Sequence, residues 1–168
     1  MNSEPLSDLT LVGQVHEWVE VLPGYQRDTL IALLDGRPPT DVIAIWLQNT
    51  GPSDTAPFGG VRVAAQNFYV NLLREIKKAL CDGDEAYRDD RQKLAAASQD
   101  GGKLILVGTV STVIAPHVGA AAAVIGPAVA ITFGILSNAG KATLCEALTD
   151  LIDRTELANG ETSSPDPS

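Results

Sequence analysis

The chain has 168 residues, 45% of them hydrophobic, which is enough to bury a real core as one domain or as a small helical domain carrying a hydrophobic segment. Its formal charge of −9, from 21 acidic and 12 basic residues, disfavours nucleic acid as a partner, because a phosphate backbone would be repelled. No fixed-period self-similarity is present, which argues against a repeat architecture.

Residues 1–7 are expected to fray, and a first helix is expected from Asp8 to Leu22, where Leu9, Val12, Val15, Val19 and Leu22 form an apolar stripe. Pro23-Gly24 stops it. A short helix follows over Gln26 to Leu34, ended by Asp35-Gly36-Arg37-Pro38-Pro39. Thr40 is suited to cap the next helix, Val42 to Leu47, although its β-branched residues also fit a short strand. Asn49 to Gly60 is the longest expected loop. Val61 to Cys81 is the clearest amphipathic helix, with Ala65, Tyr69, Leu72, Leu73, Ile76 and Leu80 on one face and Arg74, Lys77 and Lys78 on the other. Asp82-Gly83-Asp84 breaks it, and a more polar helix is expected over Glu85 to Ser98, followed by a hinge at Gln99 to Gly102.

From Leu104 to Gly140 there are 37 residues without a charged side chain, bounded by Lys103 and Lys141. Proline lacks an amide hydrogen and clashes with the preceding turn, so Pro116 and His117 are expected to form a hairpin turn between two arms. The first arm, Leu104 to Ala115, is too short to span a bilayer: 12 residues make about 18 Å of helix against about 30 Å of hydrocarbon. The second, Val118 to Ser137, has the 20 residues a span requires. Ala115, Gly119 and Ala123, and again Gly126, Ala130 and Gly134, recur four apart, the spacing of a small-residue face on which another helix can pack. Ala142 to Ala158 is a further amphipathic helix, stopped at Asn159-Gly160, and Glu161 to Ser168 is expected to be a disordered tail.

The sequence therefore divides into an amphipathic helical region (1–102), a hydrophobic hairpin or transmembrane segment (103–141), a C-terminal amphipathic helix (142–160) and a tail (161–168). The expected fold class is all-α, an amphipathic bundle around a Gly/Ala-rich hydrophobic hairpin. Residues 1–10 hold Glu4 and Asp8 but no Lys or Arg, so no secretory signal is expected. Cys81 and Cys145 are accordingly expected as free thiols in a reducing compartment, on the cytoplasmic side of a membrane.

Chemical motifs are weak. Gly134 to Thr143 has two glycines, Lys141 and a threonine, but five residues separate Gly134 from Gly140 and Ala142 follows the lysine, so the amides and hydroxyl of a phosphate loop are not in place. His16 and Glu20 share a helix face without further zinc donors. The acidic cluster Asp82, Asp84, Glu85, Asp89 and Asp90 lacks the order of a calcium loop and suits turns and helix starts. His117 would bring charge to a neutral turn on protonation. No nucleophile stands at a telling distance from a base, so neither an enzyme nor a cofactor is expected.

Two functions remain. The first is a membrane-active or membrane-anchored protein, of pore-forming or defence-effector type, with the lipid bilayer as partner and self-association through the small-residue faces. In layout this resembles pore-forming colicin domains and Bcl-2-type proteins, which keep a hydrophobic hairpin among amphipathic helices, although no motif supports membership of either family. The second is a soluble helical adaptor that binds a protein partner and uses the hairpin as its buried core.

Overall fold

Local chemistry sets most of the helix boundaries in the computed structural model, which describes residues 11–50, 60–100, 102–139 and 143–163. Helix α1 (Val15–Val19) is shorter than the Asp8 to Leu22 stripe suggests. It starts where the Gln14 N–H donates to Glu17 Oε2 at 3.3 Å, just after Gly13 turns at φ +120°; residues 8–10 lie outside the described residues. Helix α2 (Gly24–Leu34) follows Pro23. Helix α3 (Pro39–Thr50) begins at the proline itself, whose fixed φ and missing N–H suit a first turn, and not after a Thr40 cap. Val42, Ile43, Trp46 and Leu47 are buried together, the i, i+1, i+4, i+5 stripe of a helix, so the run is not a strand. The expected loop at 49–60 falls largely on residues 51–59, outside the described residues.

Helix α4 (Gly60–Leu80) buries Tyr69, Leu72, Leu73, Ile76 and Leu80 as the pattern requires. After Gly83, at φ +65°, the expected single helix from Glu85 divides in two. Asp84 Oδ1 accepts the Ala86 N–H at 2.9 Å and starts a 3₁₀ turn (Glu85–Tyr87), and α5 (Arg91–Asp100) begins only afterwards.

The hydrophobic run forms α6 (Gly102–Val118) and α7 (Ala122–Ser137), and here the expected boundaries need correction. Pro116 and His117 are not the hairpin turn. Pro116 lies in the last turn of α6 with its ring exposed, where the carbonyl it leaves unpaired is close to solvent. The helix stops at Gly119, whose φ of +72° only glycine adopts freely, and the N–H groups of Gly119 and Ala120 both donate to the Ala115 carbonyl, at 3.0 and 3.3 Å. The second arm therefore has 16 residues, not 20. At 1.5 Å per residue neither arm reaches the hydrocarbon thickness of about 30 Å, and among the described residues no helix is long and apolar enough to cross a membrane.

Helix α7 is the axis of the fold. Ten consecutive residues, Ile125 to Gly134, are buried, because α1, α3, α6 and α8 (Leu144–Ser163) all pack around it. Pro127 cannot donate to the Ala123 carbonyl four residues back; the side chain of buried Gln26 does so instead, at 3.0 Å. Trp46 Nε1 donates to the neighbouring Val124 carbonyl at 2.8 Å. The Gln26 side chain thus satisfies the carbonyl that the proline leaves without its helical partner, and Trp46 adds a second bond beside it; leaving such a carbonyl unpaired would cost about 1–3 kcal/mol. Deeper in, Thr132 donates to the Ala128 carbonyl at 2.7 Å and meets the Tyr69 hydroxyl at 2.8 Å, so this buried polar pair is satisfied. Burial pushes the Tyr69 phenol well above its usual range.

Among the described residues the architecture is an all-α bundle with no strand, and segments 1–102, 103–141 and 142–160 all contribute to one hydrophobic core. Helix α8 runs past Asn159-Gly160 to Ser163, correcting the expected stop and the start of the tail; residues 164–168 lie outside the described residues. The expected free thiols are also corrected. α4 and α8 pack antiparallel, with Arg74 paired to Glu156 at one level and Cys81 bonded to Cys145 at the other. Amphipathic stripes on two separate helices do not disclose that their ends will meet.

The glycines of α7 differ in what they permit. A Cβ on Gly134 would lie 2.6 Å from Val15 Cα, so α1 sits on α7 backbone to backbone; on Gly126 it would meet only Ser111 Oγ, at 3.8 Å. Gly134→Ala is expected to destabilise by about 1–3 kcal/mol through overpacking. Gly126→Ala should gain up to about 1 kcal/mol from helix propensity. Urea unfolding of the two variants measures the contrast, and equal effects would contradict the close approach of α1.

Candidate functional site

Leu104, Gly108, Thr112 and Pro116 stand four apart on α6 and form one ridge along it. All four are exposed, in contrast with Leu106, Val107, Val110, Ser111, Val113 and Ile114 on the buried side. Helix α5 precedes the turn at Gly102, φ +65°, and α6 doubles back from it with this ridge beside α5, leaving an open groove of about 870 Å³ between the two helices.

The groove is polarised along its length. Its end near the α5–α6 turn is lined, among the described residues, by Ala96, Ala97, Leu104, Ile105 and Gly108, none of them charged or hydroxyl-bearing. Leu104 and Ile105 are 59% and 52% exposed, unusual for large aliphatic residues on a helix free of charge between Leu104 and Val118. The opposite end carries Asp90, Lys93, Thr109, Thr112 and His117. Lys93 Nζ lies 3.8 Å from Asp90 Oδ1, a long ion pair of which the lysine remains mostly in water.

A buried polar cluster holds that end in place. The His117 ring stands against Tyr87, centroids 4.3 Å apart and planes tilted by 47°. Tyr87 is fully buried, and its hydroxyl donates to Glu75 Oε1 at 2.7 Å. Its phenol is pushed far above the usual range, by burial first, then by the bond to the Glu75 carboxylate and the charges of Glu75, Asp84 and Asp90. Arg91, also buried, donates from its guanidinium to the Asp84 carbonyl at 2.8 Å. The start of α5 and the end of α6 are thereby tied to α4.

The residues singled out from the sequence are dispersed. Ala115 is buried on α6, Gly119 is the helix stop, and Ala123 begins α7 with its side chain exposed, so these three do not share a helix face. Gly126, Ala130 and Gly134 are all buried, Gly126 toward α6 and Gly134 against α1. The Lys103 ammonium lies 5.3 Å from the Trp18 ring centroid, a cation–π contact that keeps it on the bundle. Lys141 lies outside the described residues. His16 is exposed on α1, and Gly134 is helical, so no phosphate loop starts there.

Sequence reasoning missed the groove, since every residue of the α6 ridge is uncharged and an uncharged ridge has the same lettering whether covered or open. The fourfold spacing of Leu104, Gly108, Thr112 and Pro116 was the available signal. The chain matches no protein-family model, no curated protein and no solved structure.

Proposed function

We propose that the chain is a non-enzymatic helical interaction module whose uncharged run is its core and whose binding face is the α5/α6 groove. The observation that carries this reading is the burial of Ile125 to Gly134 on all sides by α1, α3, α6 and α8. A helix apolar all round belongs either in lipid or in a protein interior, and here four neighbours supply the interior. Delivering α7 to a bilayer would mean giving up those contacts and exposing the Ala123 carbonyl, which Pro127 cannot pair and Gln26 now satisfies.

Fractionation of cells expressing the untagged chain tests the proposal. The expected result is recovery of a folded species without detergent. Retention in the membrane pellet through a carbonate wash, with release only by detergent, would instead support a hairpin that inserts into lipid, and the module reading would be abandoned.

A further inference from the structure

The two sulfurs of the Cys81–Cys145 bond sit at opposite poles of two long helices. Cys81 follows the last residue of α4, and its N–H donates to the Lys77 carbonyl at 2.7 Å, so it lies at the end where carbonyls carry negative partial charge. Cys145 is the second residue of α8, at the end where unpaired amides carry positive partial charge. Negative charge on sulfur is therefore stabilised at Cys145 and disfavoured at Cys81. The described side-chain charges nearest in sequence do not reverse this order. Lys77, one turn before Cys81, is paired with Asp82 at 3.7 Å, and Glu146 beside Cys145 is exposed, where water screens it. Both cysteines are partly exposed, so a reductant can reach them.

Helix α8 also lies to one side of the bundle. It packs on α4 and less extensively on α7, through Leu144, Ala147, Leu148, Leu151 and Ile152, whereas α7 is enclosed by α1, α3 and α6 as well. Beside that stripe, the polar tie from α8 to α4 is Arg74–Glu156, whose partly exposed side chains make it a weak one.

We propose that the Cys81–Cys145 disulfide is a reversible redox switch on α8, opened by a dithiol that attacks Cys81 and expels Cys145 as the leaving thiolate, and that opening loosens α8 while the rest of the bundle stays folded. A thiolate of the dithiol bonds to Cys81 Sγ as the Sγ–Sγ bond breaks, and the electron pair of that bond leaves on Cys145 Sγ. The second thiol of the reductant, as thiolate, then attacks the reductant's own sulfur in the mixed disulfide and releases Cys81. Two electrons and two protons pass from the dithiol, which becomes a disulfide, to the protein. The switch goes beyond the module reading and is independent of what the groove binds, since it requires only α4 and α8 packed as they are.

The test uses the purified full chain without denaturant. Dithiothreitol should reduce the bond while the far-ultraviolet circular dichroism remains helical, and oxidised dithiothreitol should restore it. Glutathione, a monothiol that leaves the first step trapped, should be found on Cys81 at least about tenfold more often than on Cys145, with the other cysteine open to alkylation. In hydrogen exchange, the amides of Leu144–Leu157 should exchange at least about tenfold faster after reduction, and those of Ile125–Gly134 less than about twofold faster. Cys81→Ser with Cys145→Ser should show the same exchange pattern with no reductant present. A bond that yields only in denaturant would overturn the proposal, as would glutathione trapped mainly on Cys145. Acceleration of α7 and α8 together would show that the bond holds the whole bundle and would overturn the switch.

Discussion

Val129→Asp is expected to abolish cooperative folding. Val129 is fully buried at the centre of α7, and no basic side chain among the described residues is buried beside it to compensate a carboxylate. An unpaired buried charge costs about 3–5 kcal/mol or more, a large part of the roughly 5–15 kcal/mol that holds a domain of ordinary stability together. Circular dichroism with urea titration measures the result: the variant should lose its unfolding transition or shift it to much lower denaturant. The same substitution separates the two functional readings. A chain that works by lodging the hairpin in lipid would keep its amphipathic helices folded and lose only bilayer binding. A Val129→Asp protein with an unchanged urea midpoint would therefore sink the buried-core account.

Removing the Cys81–Cys145 bond should cost about 4 kcal/mol. The bond closes a loop spanning 64 residues, and in the chain-entropy account the stabilisation grows with the logarithm of that length. The loop contains α5, α6 and α7, so opening it frees the α4–α8 pair that encloses the groove-bearing hairpin. Cys81→Ser with Cys145→Ser is expected to lower the melting midpoint by on the order of 10 °C. Non-reducing peptide mapping of the native chain should recover the two cysteines in one linked fragment. Two free thiols in protein purified under oxidising conditions would contradict the pairing, and an unchanged midpoint in the double variant would contradict its contribution.

Which parts of this protein can be read from its lettering follows from the range of the interactions involved. Helix periodicity is local, so the apolar face of α4, with Tyr69, Leu72, Leu73, Ile76 and Leu80, was legible and is buried as its spacing implies. The stop before Asp84, made by Gly83, was equally legible, because φ and capping preferences act over a few residues. Misplaced boundaries arose where one local rule met a stronger constraint. Pro116 reads as a break, yet Gly119 three residues later ends the helix, since a proline in the last exposed turn forfeits little.

From the sequence alone it followed that the chain is helical and that its longest apolar run had to leave water, because period, caps and transfer free energy are properties of residues and their near neighbours. Whether that run leaves water into lipid or into protein was undecidable at that level: the same uncharged side chains satisfy both solvents. In the tertiary structure the run packs inside a bundle. Gln26 and Trp46, distant in sequence, reach the carbonyls around Pro127; Gly134 admits Val15; and Cys81 finds Cys145 across two packed helices. Each is a contact between segments far apart in the chain, fixed by packing geometry, and packing geometry exists only once the elements have been brought together.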